Sequence, residues 1–263
     1  MEPQEYQTLF QLEETYWWYV ARRRLVRDML EDACGHRKDR LLLDIGCGTG
    51  ANATVLSQFG TVLLLDASQA ALNCCQARGL KNVMASNGEH IGLRSESLDV
   101  VTALDVLEHV DRDVDSMREI LRVLKPGGML LITVPAFGFL WSEHDEALHH
   151  RRRYTMGEMR NKLAASGFET VRATYFITSL FAPIVVMRVW QGIFKKNVQP
   201  KTSHVILPGW INRLIEGILE IERHICRRMN LPFGVSIVTV ARKPLTHTAQ
   251  ISEHALAASS TKV

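Results

Sequence analysis

The chain has 263 residues, of which 46% are hydrophobic and 22% charged, with a formal net charge of +3. This is the composition of a globular protein with one large domain or two small ones, and so small a charge gives no argument for nucleic acid. Five cysteines (Cys34, Cys47, Cys74, Cys75 and Cys226) form no CxxC pair and no Cys/His cluster, so neither a metal nor a disulfide framework is indicated.

The N-terminus lacks the basic and apolar regions of a secretory signal, so a cytoplasmic chain is expected. From about Glu13 to Leu30 an aromatic and then basic pattern predicts a helix, with Trp18, Leu25, Val26, Met29 and Leu30 on one face. Two readings stand for it: a cap on the fold, or a lid whose arginine reaches an anionic group. The basic runs Arg22–Arg24, Arg151–Arg153, Lys195–Lys196 and Arg227–Arg228 read as solvated faces.

From residue 41 to 134 strands and helices alternate. Strands are predicted at 41–45, 61–66, 83–86, 98–104 and 129–134, and helices at 51–59, 68–78 and 111–124, the last with Asp111 or Asp113 as N-cap. Such alternation means βαβ units and a mostly parallel sheet. A loop rich in ionisable groups follows, from Trp141 to Tyr154. Thr155 then caps a helix, with Glu158 completing a capping box, and sixth and seventh strands are expected at 168–173 and 233–242.

The expected organisation is one domain over 1–245: a helical cap (1–38), a core (39–175), a helical insertion (176–230) and the last strand (231–245), with a disordered tail at 246–263. The insertion is too short and too interrupted, by Pro183 and Arg188, for a membrane-spanning helix. Its second half is amphipathic, with Ile211, Leu214, Ile215, Ile218, Ile225 and Met229 on one side. It reads as a packed cap or, alternatively, as a surface for a peripheral membrane contact at the inner face.

The chemistry starts at Asp44-Ile45-Gly46-Cys47-Gly48-Thr49-Gly50. A buried strand followed by glycines at alternate positions suits a nucleotide-like cofactor, and Asp66 follows where an acid holds ribose hydroxyls. Asp44 separates the two cofactor classes that use this turn. A carboxylate here would repel a pyrophosphate, whereas S-adenosylmethionine carries an ammonium and a sulfonium. A structural role for Asp44 at a helix dipole remains open.

The motif resembles the first motif of class I S-adenosylmethionine-dependent methyltransferases. The resemblance continues in order through Asp66, Ser95–Val101, Leu107-Glu108-His109-Val110 and Leu124-Lys125-Pro126-Gly127-Gly128. The outer segments resemble a bacterial subgroup with a WW…RRR helix, an HD…H.RRY loop and an LPFG.S strand. The resemblance implies a Rossmann-like α/β fold, with a seven-stranded, mostly parallel sheet whose last strand is antiparallel. It implies S-adenosylmethionine as cofactor, held by Asp44, Gly46, Gly48, Gly50, Asp66, Ala67, Asn87, Gly88, Leu104 and Asp105. Asn87 stands where the family usually has an acid.

Methyl transfer to a hydroxyl needs alignment and a base, and His109, His144 and His150 are the candidates. Trp18, Arg152, Arg153 and Tyr154 are candidates for holding a small-molecule or lipid-like acceptor, with the arginines on a phosphate or carboxylate. No nucleic acid is expected as partner. The alternatives are an NAD(P)-dependent oxidoreductase and a catalytically inactive module of the same fold.

Overall fold

A computed structural model describes residues 3–194 and 207–245. The tail expected to be disordered, and the middle of the insertion, lie outside the described residues.

The predicted N-terminal helix is two helices, α1 (Pro3–Leu12) and α2 (Trp17–Cys34). The break at residues 13–16 contains neither proline nor glycine. It is held instead by distant groups. Asn212 takes the Trp17 N–H (3.1 Å) and donates to the Thr15 carbonyl (2.9 Å).

The central sheet follows as β1 (Arg40–Ile45), β2 (Gly60–Asp66), β3 (Val83–Ala85), β4 (Leu98–Leu104), β5 (Leu124–Pro135), β6 (Glu169–Phe176) and β7 (Ser236–Arg242). The spatial order is β3-β2-β1-β4-β5-β7-β6, with β7 antiparallel to both neighbours. This is the predicted fold class. The β1 register against β2 pairs Leu43 with Leu63 and Ile45 with Leu65.

Helices cover both faces. These are α3 (Ala53–Leu56), α4 (Gln69–Ala77), α5 (Asp113–Val123), α6 (Glu143–Ala147), α7 (Met156–Ala165), α8 (Phe181–Phe194) and α9 (Gly209–Arg228). Because side chains alternate along a strand, β1 sends Leu42 to the layer that holds α2, and Leu43 and Ile45 to the layer that holds α5 and α7. Both faces of β1 are therefore dry, which is why it reads as a continuous apolar run.

Two local expectations change. The Lys125–Gly128 turn is an irregularity inside β5, where the pairing with β4 slips between Leu98 and Val100. The helix after β4 begins at Asp113, with Arg112 in the cap position and no side-chain cap. Asp113 is instead buried, taking Lys162 Nζ (2.8 Å) and lying 2.9 Å from the Tyr154 hydroxyl. Thr155 does cap α7, accepting from the Glu158 N–H at 3.2 Å.

The face of α9 that packs inward is not the apolar one. Leu219, Glu222, Arg223 and Cys226 are buried, while Trp210, Leu214, Ile221 and Ile225 are exposed. Burying charge requires partners, and both acquire them. Arg223 pairs with Asp28 of α2, which is fully buried. Glu222 accepts the N–H groups of Thr178 (2.9 Å) and Ser179 (2.8 Å), between β6 and α8. A buried pair such as Arg223–Asp28 costs about 3–5 kcal/mol to break from one side, so it fixes how α9 lies on α2. Helix α9 is thus packed onto the domain, with an apolar stripe left outward. Among the described residues no helix is long and apolar enough to cross a membrane.

Candidate active site

Open α/β sheets bind ligands at the carboxyl ends of their strands. A cavity of about 400 Å³ lies there, bordered by the ends of β1, β2 and β4 and roofed by α1 and α2. Its volume falls within the range of small-molecule sites.

The floor is the glycine turn. Gly46 and Gly48 have φ of 62° and 56°, the left-handed region that glycine enters without penalty. A Cβ on Gly46 would lie 2.5 Å from Val106. At Gly48 the nearest atom to an added Cβ is Leu9 Cδ2 at 3.9 Å, so a side chain there would enter the cavity. Gly50 has a different task. Its Cβ would strike Leu80 at 2.5 Å and Cys75 at 3.0 Å, and it is not on the cavity wall. It lets the turn pack against the segment from α4 to β3.

Asp66, at the end of β2, uses one oxygen for the Gly48 N–H (2.9 Å) and the other for the Ser68 N–H (2.9 Å). It holds the glycine turn and lines the cavity together with Ala67, Asn87, Gly88, Leu104 and Asp105. The Asn87 side-chain oxygen accepts the His90 N–H at 3.1 Å, which orders its own loop. Asp105 has φ of 57°. It accepts from Thr133 Oγ1 at 2.9 Å and pairs with Arg22 of α2.

Asp44 lies beneath this floor, 1% exposed. Thr102 Oγ1 donates to its Oδ1 at 2.6 Å, and Oδ2 has no hydrogen-bond partner among the described residues. Burial pushes its carboxyl up to about 6, against the Thr102 hydrogen bond and the Arg22 charge, which both favour ionisation.

The N-terminal segment borders the cavity, through residues other than Trp18. Tyr6, Leu9, Glu13, Tyr19, Arg22 and Arg23 line the cavity. Trp17 and Trp18 pack in and against the core, as the cap reading expects, and Arg22 pairs with Asp105 of the protein itself. Glu13, buried, accepts from Thr49 of the glycine loop and pairs with Arg78 of α4's C-terminal end. The break between α1 and α2 is thereby latched to the cofactor turn.

Beyond β4 and β5 lies the polar loop. His109 and His150 both border the cavity, with rings edge-to-face at 4.8 Å. His150 Nδ1 is 2.9 Å from Asp145 Oδ1, and its Nε2 is 3.9 Å from Glu108 Oε1. Burial, with the nearby His150, lowers His109 to about 4, so its imidazole is neutral at physiological pH. Asp145 is held far below the usual carboxylate range, where hydrogen bonds from His150 and Arg153 outweigh its burial.

The remaining candidates are not on the cavity wall. The ring of His144 lies 6.5 Å from that of His150. Arg153 grips both oxygens of Asp145 (2.8 and 2.9 Å) and the Ala136 carbonyl. Arg152 reaches Asp113 (3.3 Å) and the Asp111 carbonyl, and Tyr154 is fully buried. These three anchor the loop, and Arg153 also holds Asp145, the partner of His150. They are not arranged to grip an acceptor. Of the basic runs, Lys195–Lys196 lies outside the described residues; in the other three Arg22, Arg151, Arg152, Arg153 and Arg227 meet carboxylates, Arg151 and Arg227 while still exposed.

The comparisons with known proteins agree with this geometry. Residues 43–132 match the methyltransferase-domain family. A Mycolicibacterium smegmatis protein assigned as an S-adenosylmethionine-dependent methyltransferase is 30% identical over 161 residues, covering 60% of this chain and 61% of the relative. Over this domain, and in its fold, the chain is similar to the class I S-adenosylmethionine-dependent methyltransferases. It spans about three fifths of that relative's length.

Among solved structures, a methyltransferase of Thermotoga maritima superposes with a TM-score of 0.57 at 18% identity, covering 91% of this chain and 95% of its own. The [4+2]-cyclase SpnF gives 0.56 at 24% identity, covering 87% and 84%. At these identities the likeness concerns the fold. The methyltransferase residues in hand fit the family's cofactor, S-adenosylmethionine. The unpartnered Asp44 oxygen suits a cationic ammonium, Gly48 admits close approach to the backbone, and Asp66 borders the same cavity.

Proposed function

We propose that the chain transfers the methyl group of S-adenosylmethionine to a hydroxyl oxygen of a small-molecule or lipid-linked acceptor. One observation carries the choice of oxygen: His150, aligned by Asp145, borders the cavity beside Asp105 and His109. An imidazole whose Nδ1–H is held by a carboxylate presents Nε2 as proton acceptor. S-adenosylmethionine supplies the methyl on a cationic sulfur that leaves as a neutral thioether. The chain's own part is alignment and exclusion of water. The turn at Gly46 and Gly48 with Asp66 fixes the donor end, and α1 and α2 cover it. His109 and His150 mark the acceptor end.

A lipid-like acceptor is supported by an aromatic shelf at the same edge of the sheet. Phe137 stacks on Tyr175 (5.2 Å) and on Phe139 (5.2 Å), and Phe181 meets Phe139 and Phe233. Phe139 is 66% exposed. The outward stripe Trp210, Leu214, Ile221, Ile225 is spaced as one helical face. With basic residues on the same helix, it suits a peripheral contact with a membrane surface.

Incubating the protein with methyl-labelled S-adenosylmethionine and a fractionated cell extract tests the reading. Base-stable label in the lipid or sugar-lipid fraction is expected. Label confined to protein, or label in a nitrogen-linked product, would displace the hydroxyl assignment. In the same assay His150→Ala is expected to lower turnover at least tenfold and to leave cofactor affinity within about twofold. Equal turnover in variant and parent would remove His150 from the chemistry.

A further inference from the structure

Glu108 is 0% exposed, and neither of its carboxylate oxygens has a hydrogen-bond partner among the described residues. A buried, unsatisfied carboxylate is costly, and a loop anchor or a His–Asp pair gives no reason for it. Around it the sequence places two imidazoles. One ligand atom each from Glu108, His109 and His150 lie within 4.8 Å of one another. His150 Nε2 faces Glu108 Oε1 at 3.9 Å, too far to hydrogen-bond. His150 Nδ1 is held by Asp145, whose other contacts are Arg153 and Ser142.

A carboxylate behind a histidine is the arrangement that orients a metal-ligating imidazole. Bonds of about 2.0–2.2 Å from nitrogen and oxygen put neighbouring ligand atoms roughly 3–4 Å apart, so modest side-chain closure would complete the shell. We infer that Glu108, His109 and His150 form a divalent-cation site, of imidazole–carboxylate type, at the acceptor end of the cavity. Two imidazoles and a carboxylate suit first-row ions such as Zn²⁺, Co²⁺ or Mn²⁺ better than calcium or magnesium.

The inference rests on the methyl-transfer reading and specifies how the acceptor is activated. Three protein ligands leave positions for a substrate oxygen. When the acceptor hydroxyl binds the cation, its O–H bond breaks and the proton leaves to solvent, because the cation's charge lowers the hydroxyl's pKa. The oxygen's electron pair forms the new O–C bond, and the electrons of the broken C–S bond go to sulfur. His150 then serves as ligand in place of proton acceptor. Asp145 is a positioning residue that acts through it.

The test is titration of the chelator-treated full chain with Co²⁺, followed by visible d–d absorption and by thermal melting, with S-adenosylmethionine affinity as the control for folding. One equivalent is expected to bind, with d–d bands and a raised Tm. Glu108→Gln and His109→Ala are expected to lose the bands while retaining cofactor affinity. Asp145→Asn is expected to weaken Co²⁺ about 10–100-fold. Absence of stoichiometric binding in the parent, or bands indifferent to all three substitutions, would overturn the site. Cofactor binding without Co²⁺ binding defeats this inference alone, whereas loss of cofactor binding in the parent defeats the methyl-transfer reading itself.

Discussion

Asp66→Ala is expected to reduce S-adenosylmethionine affinity at least 100-fold, measured by calorimetry. The substitution removes two things at once. One is the acceptor that a strand-two acid offers to ribose hydroxyls, a charge-assisted bond of about 1.5–3 kcal/mol. The other is the tie between the glycine turn and β2. Asp66 Oδ2 accepts the Gly48 N–H at 2.9 Å and Oδ1 the Ser68 N–H at 2.9 Å. Without it the turn, already in left-handed conformations at Gly46 and Gly48, loses the group that holds its donor inward. A loss of about 3 kcal/mol corresponds to two orders of magnitude in Kd. Asp66→Asn retains an oxygen for Gly48 and loses the charge, so it is expected to fall between parent and alanine. Unchanged affinity in Asp66→Ala would overturn the placement of the cofactor.

The cofactor half of the site was legible in the sequence because its determinants are local. A strand buried on both faces must be apolar along its length, and the turn leaving it needs glycines, so Leu41–Gly50 states its own conformation. Asp66 ends the next strand of the same unit. The acceptor half was not legible in that way. Arg152, Arg153 and Tyr154 have the composition of an anion-binding loop, and what decides their role is Asp113 and Asp145, whose positions depend on how the loop folds back. Glu108 belonged to a recognised motif, yet that its carboxylate is buried and unpaired follows only from the packing around it. Helix α9 misleads for the same reason. Its apolar stripe suggested the buried face, but Arg223 and Glu222 find partners 195 and 44 residues away, which periodicity cannot contain. The break before Trp17 carries no proline or glycine because Asn212 makes it. Four non-glycine residues with positive φ (Asp105, Phe137, His149 and Ile177) follow strand ends or sit in the acceptor loop. Such conformations cluster where a site is shaped at the expense of local comfort.

Asp44→Asn is expected to make the free protein more stable and the cofactor complex weaker. Asp44 is buried, and its carboxyl is raised from 3.8 to about 6. In the unfolded chain the group ionises near its ordinary value. Below about pH 4 it is protonated in both states and carries no penalty. Between pH 4 and 6 the unfolded state releases its proton while the folded state retains it, so stability falls as pH rises. Above pH 6 the folded protein holds a buried carboxylate at a cost on the order of 3 kcal/mol. Asparagine removes that charge and retains an oxygen for the Thr102 hydroxyl, which donates to Oδ1 at 2.6 Å. Its amide N–H₂ takes the place of the unpartnered Oδ2, and leaving that donor unpaired returns about 1–2 kcal/mol. The net gain at pH 8 is then roughly 1–2 kcal/mol, a rise of ~2–8 °C in Tm, and it reverses to a loss of about 1–2 kcal/mol by pH 4, where the parent carboxyl no longer carries the charge penalty. With S-adenosylmethionine bound the order inverts, because the cofactor's ammonium favours the ionised carboxylate. The variant is expected to bind it at least tenfold more weakly at pH 8, and the parent to lose affinity as pH falls through about 6. Scanning calorimetry from pH 4 to 8, with and without cofactor, reads both effects. A lower Tm in the free variant at pH 8 would place the cost of Asp44 elsewhere than in its charge, and equal cofactor affinity would separate that charge from the methyl donor.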